Sequence, residues 1–197
     1  MDGLPRPRRA RSDPARVASA VQTVVGALQD AGVAATAKHF PGLGRVQVNT
    51  DEAAGATDPD TTPLDPYLQP FAAAVRSGTG AVMVSSATYP QLDPDQLAVF
   101  SPAVIGLLRG QLGFHGVVVT DDLGAAVAVA GIPVGQRAVD AVAAGVDVVL
   151  TVRTADAVPM SRALADRAAA DPAFAARVDE SARRVLALKE RFGLLRC

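Results

Sequence analysis

Four short apolar runs constrain this chain more than any other feature. They lie at about 33–40 (Val33-Ala34-Ala35-Thr36-Ala37 and onward), at Ala81-Val82-Met83-Val84-Ser85, at 116–120, and at Val146-Asp147-Val148-Val149-Leu150-Thr151. Each is too short for a stable helix and too continuously apolar for a strand with one wet face, so each reads as a strand covered on both sides. Helical spacing fills the gaps. Ser12-Asp13-Pro14 opens a helix in which Val17, Val21, Val24, Val25 and Leu28 recur until Gly32 stops it. Further helices are expected at about 68–77, at 103–112 behind Ser101-Pro102, near 134–144, and at about 155–170 and 172–191. Strands alternating with helices give an α/β protein with a parallel sheet and right-handed crossovers. The polar stretch 42–66, rich in Gly, Asp, Thr and Pro, is longer than an ordinary connection and is expected to be functional or disordered. A second loop is expected through Tyr89, Pro90, Asp93 and Pro94. No linker divides residues 12–197. Residues 1–11, with Arg6, Arg8, Arg9 and Arg11, are expected to be a disordered, solvated basic terminus, because no aromatic residue interleaves the arginines.

Polar residues cluster where the apolar runs end: Lys38 and His39, Ser85 and Ser86, Asp121 and Asp122, Thr151 and Arg153. In a parallel sheet these are carboxyl ends, where α/β proteins build their sites. Each residue alone has a structural explanation, since a strand-terminal Asp often caps a helix and a lone His is often a hydrogen-bonded core residue. The same habit at four successive strand ends favours a site. Asp122 is expected to cap the next helix or orient a neighbour, and His115, in the turn before Gly116, is assigned to structure.

A net charge of -1, from 19 basic and 20 acidic residues, gives no reason to expect nucleic acid or an anionic membrane as partner. No apolar stretch approaches the roughly 20 residues that span a bilayer, so no transmembrane segment is expected. The chain as written reads as soluble and cytoplasmic, or secreted if a leader is missing. Cys197 is the one thiol, and His39 and His115 are the only histidines, without ligand spacing around them. No metal and no cofactor are expected. The chemistry that fits is glycosyl transfer, in which one carboxylate attacks the anomeric carbon while a second group gives a proton to the leaving oxygen. Asp121 is the candidate nucleophile, Lys38 and His39 would hold sugar hydroxyls, and a mobile loop at 42–58 would carry the proton donor.

Lys38-His39-Phe40-Pro41-Gly42-Leu43-Gly44, Asn49-Thr50-Asp51, Ala81–Ser85 and Gly116-Val117-Val118-Val119-Thr120-Asp121-Asp122-Leu123 together resemble glycoside hydrolase family 3, in its β-N-acetylhexosaminidase (NagZ-like) branch. The last helix, Val178–Lys189, resembles the one that closes that family's catalytic barrel. The resemblance runs from about residue 12 to the end and implies a TIM-like (β/α)8 barrel. It implies Asp121 as nucleophile, Lys38, His39 and Ser86 as substrate-binding residues, and a carbohydrate substrate containing N-acetylglucosamine. The family usually carries an Asp-Ser-His motif on its mobile loop. Here Asn49 stands for the Asp and Asp51 for the His, so either Asp51 is itself the acid/base or that function is impaired. Leu43 also replaces a common His.

Only four of the eight strands are visible, so the chain is expected to be the last four βα units of the barrel plus its C-terminal helices. Such a half-barrel has open apolar edges at 33–40 and 146–151, which are expected to drive self-association. The implied activity is that of a retaining exo-β-N-acetylglucosaminidase acting on cell-wall or chitin-derived saccharides. The alternatives are a catalytically inactive half-barrel that binds sugar or a partner, and a β-glucosidase of the same family.

Overall fold

The computed structural model describes residues 13–195; the basic terminus expected over 1–11 and Cys197 lie outside the described residues. In chain order the elements are α1 (Pro14–Asp30), β1 (Thr36–Phe40), α2 (Gln69–Arg76), β2 (Ala81–Val84), β3 (Thr88–Tyr89), β4 (Asp93–Leu97), α3 (Pro102–Gly106), β5 (Val117–Asp122), α4 (Val134–Ala144), β6 (Val148–Leu150), α5 (Thr154–Ala170) and α6 (Pro172–Arg191). The α1 cap is Asp13, whose carboxylate accepts the amides of Ala15 and Arg16, while Pro14 sits where its missing N–H costs nothing. Asp171 and Pro172 start α6 in the same way.

β1, β2, β5 and β6 form one parallel sheet in that order, leaving β1 and β6 as its edges. This is the α/β fold of a TIM-like barrel, present as four of the eight strands that such a barrel closes with. Val82, Val84 and Val118 are wholly buried beneath the helices, with Leu108, Val99 and Leu123 in the same cluster. Each such side chain contributes about 1.5–3 kcal/mol by leaving water. On the other face Met83, Val119 and Asp121 stay half-buried. In a closed barrel that face points inward; in this four-stranded sheet it remains half-open.

The edge strands are shorter than expected for local reasons. The amide of Val33 closes the end of α1 on the carbonyl of Leu28, and the amide of Val146 closes α4 on that of Ala141, so neither residue joins the ladder. The helix expected over 103–112 is α3 followed by a wider turn at Leu107–Gln111. The loop expected through Tyr89 and Pro94 holds an antiparallel hairpin, β3 with β4. Asp93-Pro94-Asp95-Gln96 hides this strand from any alternation of apolar residues, and Ser101 fixes it by donating its hydroxyl to Asp93 at 2.6 Å.

At the amino end of the sheet Asp147 has no exposed side-chain surface. Arg109 and Arg177 each reach it at 2.6 Å, Arg184 at 3.1 Å, the Val118 amide at 2.9 Å and the Ser181 hydroxyl at 3.2 Å. One carboxylate thereby ties β5, the turn after α3 and α6 together. Burial alone would raise its pKa, but the Val118 amide and the guanidinium groups outweigh it and hold the carboxyl below the usual range.

Candidate active site

An extra residue in β1 decides which way His39 faces. Ala37 stands opposite Val82 and Phe40 opposite Val84, so three steps along β1 match two along β2. Phe40 therefore shares the buried face with Val84, and His39, one residue earlier, turns to the half-open face. A regular strand would have kept His39 on the side of Ala37 and Val82. The Lys38–His39 and Phe40–Pro41 peptide bonds here are cis.

Asp121 reaches the same face between buried Thr120 and Asp122. Its Oδ2 lies 3.4 Å from Nε2 of His39, across the end of intervening β2, and both side chains keep between a fifth and a quarter of their surface exposed. The His39 pKa is lowered, first by burial and also by the Lys38 ammonium, against the raising influence of Asp121 and Asp51. The imidazole is therefore neutral at pH 7, with one nitrogen to donate and one to accept. Lys38 is exposed beside it.

Asp122 has a different task. Oδ1 accepts the amides of Gly124 and Val152 and Oδ2 accepts that of Ala125, all at 2.8–2.9 Å, which joins the end of β5 to the end of β6. Burial pushes its pKa up, and these amides reverse the effect and hold it below the usual carboxylate range. It does not cap the next helix, since α4 follows Pro133 without a side-chain cap; it braces the turn after β5 instead.

The 42–66 stretch has no regular strand or helix in its first half, yet it is tied at several points. Tyr89 donates its hydroxyl to the Gly42 carbonyl at 2.9 Å, and Arg45 meets Asp65 at 2.6 Å. Asp58 is buried and accepts the amides of Asp60 and Thr61. Between these anchors Thr50 is buried while Asn49 and Asp51 are exposed. The carbonyl of Thr50 accepts the Ala128 amide at 3.1 Å, and that of Asp51 accepts the Val127 amide at 3.4 Å. Asn49 braces the turn by accepting the Asp51 amide and donating to Glu52. The loop after β5 thus carries the segment that was expected to hold the acid/base, and Asp51 is near enough for its charge to act on His39.

The structure brings Lys38, His39, Asp51 and Asp121 into one electrostatic group, with Asn49 supporting Asp51. It does not bring Ser86 into the open site: Ser86 is 1% exposed, and its hydroxyl has no hydrogen-bond partner among the described residues. Thr151 turns onto Arg153, whose amide it accepts, and Arg153 is exposed, so the fourth strand end adds no group to this cluster. His115 is exposed at the opposite end of the sheet. Arg137 was overlooked in the sequence. A lone Arg on the apolar side of an Ala/Val-rich helix was the available signal.

Residues 5–188 match the family described as glycosyl hydrolase family 3 N terminal domain. A β-hexosaminidase of Xanthomonas campestris pv. campestris is 42% identical over 147 residues, which is 73% of this chain and 44% of the relative. The crystal structure of a β-N-acetylhexosaminidase from Beutenbergia cavernae superposes with a TM-score of 0.88 at 47% identity, covering 90% of this chain and 53% of that one. A family 3 β-N-acetylglucosaminidase from a Paenibacillus strain gives 0.81 at 38% identity, over 91% and 35% of the respective chains. The chain thus spans about half the length, or less, of these relatives.

Proposed function

This chain belongs to glycosyl hydrolase family 3, in its N-terminal domain, and from that membership we propose that it is a retaining exo-β-N-acetylglucosaminidase acting on cell-wall or chitin-derived saccharides. The observation that carries the reading is the partly exposed Asp121 carboxylate facing neutral His39 at 3.4 Å, at the carboxyl end of the sheet. Asp121 attacks the anomeric carbon and forms a glycosyl-enzyme, while Asp51 gives its proton to the departing oxygen. Water then releases the sugar as Asp51 takes a proton back. His39 orients the Asp121 carboxylate and, with Lys38, hydrogen-bonds sugar hydroxyls. Asp122, fully engaged by backbone amides, holds the strand end still.

The test is release of 4-methylumbelliferone from its β-N-acetylglucosaminide by the full chain, beside an identically prepared Asp121→Asn variant. Activity that disappears in the variant supports the proposal, and a stronger preference for the β-glucoside redirects it to a glucosidase. A second reading, a half-barrel that binds sugar or a partner without turnover, is favoured by the four-stranded sheet and by Asn49-Thr50-Asp51. A folded wild-type chain with no turnover selects it. Association through the open β1 and β6 edges belongs to both readings, and light scattering on a sized sample measures it; a monodisperse monomer removes it.

A further inference from the structure

We propose that Arg137 is a positioning residue for the proton-transfer step: it rigidifies the loop after β5 as the platform on which Asp51 is held opposite Asp121. The inference rests on the reading of Asp51 as acid/base. Arg137 lies in the first turn of α4 and is 6% exposed. Its Nε donates to the carbonyl of Ile132 at 2.7 Å, Nη1 to those of Leu123 at 2.6 Å and Gly124 at 3.1 Å, and Nη2 to that of Ala130 at 3.3 Å. All four bonds end on backbone oxygens, and together they span the whole loop from the residue after Asp122 to the approach to α4. A buried guanidinium is spent on one surface loop.

That loop presents two amides to the segment opposite. Val127 and Ala128 donate to the carbonyls of Asp51 and Thr50, and Thr50 is the one buried residue between Val46 and Glu52 that fastens the segment there. The chain of contact runs from Arg137 through four carbonyls to the loop, through two amides to Thr50 and Asp51, and from the same loop directly back along β5 to Asp121. Both reacting carboxylates are thus referred to one frame. A lysine offers donors from a single point and cannot reproduce a planar fork that reaches four separated carbonyls.

The experiment compares kcat/KM for a phenyl and a 2,4-dinitrophenyl β-N-acetylglucosaminide in the wild type, in Arg137→Lys and in Val127→Pro. The second variant removes one platform amide at the first position of a short helical turn within the loop, Val127–Val129, where proline is tolerated. A misplaced acid slows departure of phenol, which needs a proton, and spares dinitrophenol, which does not. The expected result is a fall of about 10–100-fold for the phenyl glycoside and under about threefold for the activated one in both variants. Equal losses on the two substrates overturn the proposal, because they mark general loss of folded enzyme. If the wild type turns over neither substrate, the functional reading fails and hydrogen exchange decides the platform. Arg137→Lys is then expected to speed exchange at the Ala128 amide about tenfold, with α6 unchanged, and unaltered exchange at Ala128 overturns the inference.

Discussion

Asp147, just before β6, and Asp121, near the end of neighbouring β5, lie at opposite ends of one sheet and are treated in opposite ways. Asp147 has no exposed side-chain surface and is met by three guanidinium groups, an amide and a hydroxyl, so every lone pair is used. Asp121 keeps an exposed edge and faces a neutral imidazole at 3.4 Å. A carboxylate surrounded by fixed cations holds elements together and has no capacity left to bond with anything new. One left with an open lone pair contributes little to stability and can attack. The amino end of the sheet is built for stability, and on the proposed function the carboxyl end is left open for reaction, where parallel α/β proteins build their sites.

The sharpest way to break this contrast is to exchange the two effects. Asp121→Asn is expected to lower glycosidase turnover by about 10⁴-fold or more, the scale of losing the nucleophile in a covalent mechanism, while unfolding stability stays within about 0.5 kcal/mol of wild type. A Asp121→Asn chain that unfolds much more easily in urea counts against the division of labour. Asp147→Ala does the reverse: it removes the buried carboxylate that three partly buried arginines share and is expected to cost about 3–5 kcal/mol in denaturant titration. Because the Asp147 pKa is lowered in the fold, its contribution is complete above the unfolded value of about 3.9 and disappears as pH falls through the lower folded value.

Asp122→Ala sharpens the comparison from inside the reactive end. It leaves three backbone amides without their acceptor and is expected to cost about 2 kcal/mol, together with a loss of turnover as the end of β5 loosens. Stability unchanged in this variant would mean that water replaces the carboxylate at no cost. The smallest effect is on pH. The His39 pKa is lowered by burial and by Lys38, so its contribution to stability is full above the unfolded value of about 6.5 and is lost as pH falls through the lower folded value. A thermal melt of wild type beside His39→Gln, followed from pH 7.5 to 5, is expected to show the wild type losing ground. Parallel curves exclude this role.

Much of this was legible in the chain. The four apolar runs, the helix start at Ser12-Asp13-Pro14, and the placement of Lys38, His39, Asp121 and Asp122 at strand ends follow from local rules of periodicity and capping. The hairpin of β3 and β4 was hidden because its charged and proline residues carry no alternation. The mobile loop expected over 42–58 proved to be fastened by Tyr89, Arg45 and the Val127 and Ala128 amides, none of which lies near it in sequence apart from Arg45.

The sequence by itself determined a parallel α/β sheet with its candidate site residues at strand ends, because strand period, helix period and caps are encoded within a few residues of one another. It could not determine which way His39 points, since the extra residue in β1 exists only relative to β2. Nor could it show that Arg109, Arg177 and Arg184 close on Asp147, or reveal that Arg137 holds the loop that meets Asp51. Those distinctions depend on what is brought alongside from 14 to 38 residues away or farther, and only the packed sheet and its helices supply it.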